Sequence, residues 1–576
     1  TFGLVKFFSL PGFVVILVVT VILTVLLTLR AQQMALKKNE DYLILLAASL
    51  VLLSIAAQAC NLPARVTPVF PTSQPLIPPT LVLLPFPSAA PILTASPSPQ
   101  APQPTTPPTP ESSPTFFPTS GLQTATPGLG LPSSWNTPAP EAPLPPISYW
   151  TQTGDTLPAL AARFGVLPEQ ITANQPLSAQ SLLIPGIQLT IPNLLGEPPY
   201  PSALLPDSLV VYSPAIASFD IAAYVAQAGG YLNTYGEYVD ADEWLSGTQI
   251  VQRVATDNSV SPQLLLAFLE FRSGWVRGQP SIYSDLERPI GFYVPDYTGL
   301  YLELSLAAKH LNIGYYGWRL GTQLELTFPT GTRVRINPGL NAGSAALQSL
   351  TAKFYLRQED WLAELYGANG LLATYTEMFG DAWQGSNTEP LFPPGLAQPA
   401  LELPFLPGEY WSLTSGPHIS WTTGTPRGAL DFAPITGEPA CAISVAWVTA
   451  SAAGVVVRAE RGIVAIDLDG DGRESTGWVL VYMHVAEKDR IPLGAWVQTD
   501  DRLGHPSCEG GSATGTHVHL ARKYNGEWLA ADGPLPMMLS GWTAHAGILS
   551  YQGTLEKDGQ IVNAQPNGTA GSTIVR

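Results

Sequence analysis

The sequence predicts a multidomain protein with a short βααβ unit, a mainly α-helical middle segment and a mainly antiparallel β C-terminal part. Three observations lead there. Charged residues make up only 12% of the 576 residues while prolines number 57, about half and about twice their usual shares, so part of the chain is spacer rather than packed core. Helical periodicity is confined to the middle of the chain, and apolar or alternating runs separated by Gly and Asp turns dominate its C-terminal third. Six of the seven histidines, His418, His484, His505, His517, His519 and His545, fall within that β-rich third.

Two apolar stretches open the chain. The first, within 1–33, carries no charge between Lys6 and Arg30 and is long enough to span a bilayer. It is either an additional membrane helix or an artefact upstream of a true start at Met34, and the leading Thr favours the artefact. The second, 34–60, has a basic start at Lys37 and Lys38, an apolar run, and small residues ending at Cys60, a signal-peptide layout. Its "AAQAC" resembles a bacterial lipobox, which makes Cys60 the lipidation candidate, although Ala57 stands where Leu is usual. Ordinary cleavage after Ala59 is the alternative. Either way the rest of the chain is expected outside the cytoplasmic membrane, anchored by lipid or an N-terminal helix, or secreted.

Residues 61–147 are rich in Pro, Thr and Ser, with Arg65 and Glu111 the only charges up to 140. Each proline removes a donor and fixes φ, so this stretch predicts an extended, disordered linker.

Residues 148–193 read as a strand, a turn at Gly154-Asp155, a helix over "LPALAARFG", a second short helix over "PEQITANQ" and a returning strand over "IQLTIP". The order Y-x-x-x-x-G-D-T-L…A-x-x-F-G-V…N…L-x-I-P resembles the lysin motif (LysM). That resemblance implies binding of peptidoglycan or chitin glycan, with Gly154, Asp155, Thr156 and Asn174 as candidate contacts.

Within 200–400, "SGTQIVQRVATDNSVSPQLLLAFLEFRSGWV" predicts two helices broken at Ser261-Pro262, and "SAALQSLTAKFYLRQ" predicts another. "SVSPQLLLAFLEFRSGW" resembles the lysozyme-like fold of lytic transglycosylases, whose catalytic acid precedes a Ser-Gly pair. Here Arg272 holds that place and Glu270 lies two residues away, about 200° round the helix. Arginine does not titrate near neutrality and cannot protonate a glycosidic oxygen. The expectation is therefore a non-catalytic lysozyme-like domain, and glycan cleavage through this segment is disfavoured.

In the C-terminal part, His517 and His519 lie at i and i+2 of "GTHVHLARK". On a strand both point to one face, as converging metal ligands do. His418 precedes Asp431 by 13 residues in "HISWTTGTPRGALDFAP", and His484 ends the apolar run "VLVYMHV". Together these resemble the lysostaphin-like peptidoglycan metalloendopeptidases, in particular the staphylolysin and β-lytic branch with its long His-to-Asp gap. Commoner members have His four residues before the Asp, where this chain has Arg427.

The resemblance implies a peptidase domain over 402–550, followed by a tail at 551–576. It implies one Zn²⁺ per chain held by His418 (from the loop preceding "LDFAP"), Asp431 and His519. His517 would take the water's proton, and His484 would stabilise the oxyanion or orient the water. His505 and His545 are expected to be structural.

Cys441 and Cys508 are a disulfide candidate in an oxidising compartment, with free thiols the alternative. "DLDGDGREST" gives Asp467, Asp469 and Asp471 the spacing of a Ca²⁺ loop, but Trp478 stands where the loop's glutamate belongs. It reads as an acidic turn first and a Ca²⁺ site second.

The net charge of −17 argues against nucleic acid as a partner. The expected partners are peptidoglycan glycan and stem peptides, with the membrane reached through the N-terminal anchor. The expected function is a zinc-dependent, LysM-targeted endopeptidase at the bacterial cell wall. The alternative is an inactive wall-binding scaffold or amidase activator.

Overall fold

The computed structural model describes residues 144–196, 203–385 and 389–576, all of them within the compact unit Gly130–Arg576. The expectations for 1–33, for 34–60 with Cys60, and for nearly all of 61–147 lie outside the described residues. Among the described residues, no helix is long and apolar enough to cross a membrane.

The first unit holds β1 (Ile147–Trp150), α1 (Leu157–Phe164), β2 (Thr172–Ala173) and β3 (Gln188–Ile191) in a sheet of order β1-β3-β2. Thr156 caps α1 by accepting from Ala159 N, and Gly165 closes it at φ 66°, the left-handed C-cap that glycine supplies without strain. The expected second helix is instead one 3₁₀ turn at Pro168–Gln170 followed by β2. Ile171 is buried in the small core and Thr172 pairs with Thr190, so β-branched residues beside a partner strand override the helical pattern.

The middle segment contains α2 (Ile221–Ala228), the hairpin β4 (Gly236–Asp240) and β5 (Glu243–Ser246), α3 (Gly247–Asn258), α4 (Pro262–Ser273) and α5 (Leu300–Arg319). A second hairpin, β6 (Glu325–Thr327) and β7 (Arg333–Arg335), precedes α6 (Ala342–Thr351), α7 (Gln358–Tyr366) and α8 (Leu371–Phe379). The break between α3 and α4 falls where Ser261 caps and Pro262 opens the next helix. Glu270 is engaged within its own segment. Its carboxylate accepts from Val276 N and Arg277 N and pairs with Arg277, while Arg272 donates to Ile290 O and lies over the Phe354 ring.

The C-terminal part is built of antiparallel sheets. Its strands begin with β8 (Tyr410–Ile419), β9 (Arg427–Pro434), β10 (Val448–Thr449), β11 (Gly454–Glu460) and β12 (Ile463–Asp467). They continue with β13 (Trp478–Met483), β14 (Trp496–Val497), β15 (Arg502–Gly504), β16 (Val518–Tyr524) and β17 (Glu527–Trp528). Last come β18 (Met538–Leu539), β19 (Trp542–Ala546), β20 (Gly553–Lys557), β21 (Gln560–Asn563) and β22 (Thr573–Val575). The main sheet runs β14-β11-β12-β13-β16-β9-β8-β22, with β17 on β16, and β18 to β21 form a separate sheet. Residues 551–576 are thus not a tail. β22 pairs with β8, and Leu555, Val562 and Ile574 enter the domain core.

Strand alternation sorts the main sheet into two faces. Leu430, Ile466, Leu480, Tyr482 and Leu520 pack into the domain's own core. Ala429, Ile463, Val481 and Ala521 pack instead against the helices of the middle segment, so that segment sits on one face of the sheet.

Candidate metal centre

Asp431 and His519 lie directly opposite each other on β9 and β16, with side chains on the face shared with Ala429 and Ala521. His418 stands on β8 itself, opposite Ala429, rather than in a loop before it. The β8–β9 register shifts between Ser415 and His418 and again after His418. Such irregularities re-aim a side chain locally, and here one brings His418 to the Asp431–His519 pair. This resolves the long His-to-Asp gap: residues 418 and 431 are near neighbours across a hairpin.

His418 Nε2 lies 3.3 Å from Asp431 Oδ1, His519 Nδ1 lies 3.2 Å from the same oxygen, and the two nitrogens are 3.1 Å apart. His418 Nδ1 is 3.0 Å from Gly416 O, and His519 Nε2 is 3.0 Å from Ser420 O. Each ring therefore donates its N–H to a carbonyl and turns a lone pair inward. Asp431 Oδ1 is buried with no hydrogen-bond donor, a costly arrangement unless a cation sits there. Two imidazole nitrogens and one carboxylate oxygen within 4.8 Å of one another could hold a metal ion, and they are donors of the kind that catalytic zinc sites use.

His517 and His484 flank this set. His517 Nε2 is 3.8 Å from Asp431 Oδ2, and its Nδ1 is 2.7 Å from Gly515 O. His484 follows the last residue of β13 at φ 66°, a left-handed conformation that non-glycine residues hold only under constraint. Its Nδ1 is 2.9 Å from Glu509 O, and its ring centre is 4.4 Å from that of His517. Burial first, and then His517 beside it, push the His484 imidazole down to about 4, so it is neutral at neutral pH.

The structure adds Tyr551, whose ring stacks on His418 at 4.7 Å. Arg427, where commoner relatives place a ligand, donates to Gly547 O and Ile548 O, and Gly416 N donates to Tyr551 O. These bonds pin the turn that carries the tyrosine. Cys441 and Cys508 are joined. With Thr516 Oγ1 donating to Ala442 O, the bridge braces one wall of a cleft of about 610 Å³ lined by Asp431, His517 and small uncharged residues.

The remaining candidates lie apart. His505 is buried against Trp447, and His545 is on β19 near Asp532. The carboxylates of Asp467, Asp469 and Asp471 converge within 4.8 Å at the β12–β13 turn, where Asp467 accepts from Asp469 N and Gly472 N.

Of the candidate glycan contacts, Gly154 and Asp155 are not available to a ligand. Asp155 is 1% exposed, pairs with Arg163 and accepts from Tyr149 Oη. Gly154 packs so closely on the Arg319 guanidinium that a Cβ would lie 2.4 Å from it. Thr156 is spent on the helix cap, and Asn174 is exposed. Gly154 is closed off by Arg319 of the middle segment, which no local pattern in the motif reveals, whereas the partners of Asp155 lie in its own unit.

Residues 203–393 match the family model described as LasA, N-terminal domain. The chain is 28% identical to protease LasA of Pseudomonas aeruginosa over 361 residues, 59% of this chain and 78% of that protein. The chain is a zinc metalloendopeptidase. Among solved structures, this peptidase is similar to the M23 metalloprotease pseudoalterin from the deep sea, at 24% identity and a TM-score of 0.26, over 31% of this chain and 100% of that one. It is also similar to the catalytic domain of lysostaphin from Staphylococcus simulans, at 20% identity and a TM-score of 0.16, over 21% and 87%.

Proposed function

We propose that the protein is an exported cell-wall hydrolase that cuts peptide cross-links of peptidoglycan at one zinc ion held by His418, Asp431 and His519. The observation that carries this reading is the buried, donor-less Asp431 Oδ1 between two inward-facing imidazole lone pairs. When bound, the zinc ion supplies a Lewis acid that polarises the scissile carbonyl and acidifies a water.

The chain's own residues do the rest. His517 gives its Nδ1–H to Gly515 O, which leaves Nε2 facing the metal site as a proton acceptor. His484 is held the same way by Glu509 O. Being neutral, it presents an acceptor that orients a water O–H, so of its two expected roles water orientation is favoured over oxyanion donation. The disulfide supports an oxidising, extracytoplasmic location. Wall docking by the LysM-like unit is the finer part of the proposal. It would use the surface with Asn174 and the exposed Trp150, not the Gly154–Thr156 turn.

Peptidoglycan digestion by the full chain, with mass analysis of the fragments, tests the proposal beside His519→Ala and a chelated sample. New amino and carboxyl ends within peptides, lost in both controls, are expected. Anhydro or reducing sugar ends would move the chemistry to glycan, and wall binding without cleavage would make the chain a scaffold or amidase activator. The complete set of five site residues counts against that alternative.

A further inference from the structure

The cleft beside the metal site has a floor and two flanks. Thr573 on β22, Ser412 on β8 and Ala433 on β9 lie in register as one row across the sheet. Asp431 stands two residues along β9, on the same face. All four line the cleft of about 610 Å³. The sheet order here is β16-β9-β8-β22. Thr514–His517, which leads into β16 and is braced by the Cys441–Cys508 bridge, flanks the row from one edge. Pro566–Ala570, which leads into β22, flanks it from the other.

This second flank is tied down along its length. Gln565 N donates to Leu413 O, and Gly568 N donates to Gln565 O. Gly568 holds φ 64° and sits so close to the floor that a Cβ would lie 2.9 Å from Ser412 Oγ. The fully buried Ser572 hydroxyl donates to Thr569 O and accepts from Thr569 N, and Thr573 Oγ1 donates to the same carbonyl. Beyond β22, Arg576 pairs with Glu402 at 3.0 Å and accepts from Gly408 N through its carbonyl. Amid these anchors Asn567 is exposed in the cleft, and its side-chain amide makes no hydrogen bond with the described residues.

We propose that Pro566–Thr573 forms a peptide subsite of the peptidase, reached along the floor from Asp431, and that Asn567 is its substrate-binding residue. The inference deepens the reading given under Proposed function and rests on it for the peptide class. An amide side chain offers a donor and an acceptor together, the pair that an extended peptide backbone presents in return. Apart from Asp431 and His517, the lining residues carry no titratable group. A charged group of the substrate would be desolvated there without a countercharge, so recognition falls to hydrogen bonds with the peptide backbone. Because the flank is fixed before the substrate arrives, little ordering cost is left for binding.

The test is the affinity of the chelator-treated full chain for a sugar-free cross-linked stem peptide, measured by calorimetry. No bond is then cut, and glycan binding elsewhere is silent. Asn567→Ala is expected to weaken binding about fivefold to tenfold, the worth of one or two hydrogen bonds. Ala570→Trp, which fills the subsite from the same segment, is expected to weaken it further. Gln560→Ala, exposed on β21 outside the cleft, is the control with unchanged affinity. In the zinc-loaded chain Asn567→Ala should raise KM by the same factor and leave kcat within about twofold, a split that a merely structural role would not give. Thermal midpoints within about 2 °C of the parent exclude misfolding, and Ala570→Leu replaces the tryptophan if it does not fold. Unchanged affinity in the Asn567 variant, a fall in kcat with KM unmoved, or no binding by the parent chain would overturn the inference. Binding that responds as expected, in a zinc-loaded chain that cuts no peptidoglycan, would instead sink the functional reading and leave the subsite standing.

Discussion

Asp431 is the point on which the metal site turns. Its Oδ1 is shared by two imidazoles and receives no protein donor, so Asp431→Asn removes the charge and places an amide where a cation belongs. Zinc retention after dialysis, read by elemental analysis, should fall on the order of 100-fold in affinity, and hydrolysis should fall with it. The sequence makes this site legible for a local reason. Strand alternation puts His517 and His519 on one side, and a carboxylate opposite is a matter of register. Tyr551 was not legible, because it reaches His418 from a turn fixed by Arg427 and by the backbone at Gly416. Neither contact leaves a spacing signature.

The elements around the site set how firmly it is held. The Cys441–Cys508 bridge closes 67 residues of chain, and constraining a loop of that length is worth about 4 kcal/mol in the chain-entropy account. Cys441→Ser with Cys508→Ser should lower the urea midpoint of unfolding accordingly. It should also reduce kcat/KM, because the braced segment carries Thr516 beside His517.

Helix α5 makes a pH prediction. His310 is stacked on Phe292, and its imidazole is pushed down to about 4 by burial first and then by Lys353 and Lys309. In the unfolded chain the same ring titrates near ~6.5. The stability that goes with the neutral ring is therefore fully present above about 6.5 and is lost as pH falls through about 4, by up to ~3 kcal/mol. Urea midpoints of the full chain should decline across that window, and His310→Phe should flatten the decline. Element type was readable wherever a cap or a proline spoke, as at Ser261-Pro262. It failed at 168–173, where a partner strand outbid a weak helical pattern, and over 551–576, whose short strands acquire meaning only from β8 and the core they complete.

Arg319 ties the described chain into one body. It pairs with Glu527 of the peptidase at 3.0 Å and with Asp207 at 3.0 Å, and it packs on Gly154. Tyr315 donates to the same Glu527. Removing one partner of a buried pair strands the other's charge and costs about 3–5 kcal/mol. Arg319→Met should therefore lower the thermal midpoint sharply, while Arg319→Met with Glu527→Leu should recover much of the loss. Two separate unfolding transitions in the parent would show that this network does not couple the domains. Such coupling is invisible in local sequence, which is why Gly154 reads as a ligand contact and proves to lie against the Arg319 guanidinium of the middle segment.

The Arg163 guanidinium also donates to Trp318 O, so the N-terminal unit is bolted to α5. If that unit grips wall material, no flexible joint separates the grip from the blade. The distance between the point held and the bond severed is then a fixed length of the protein, and cleavage along a regular polymer would follow a spacing set by a ruler rather than by diffusion.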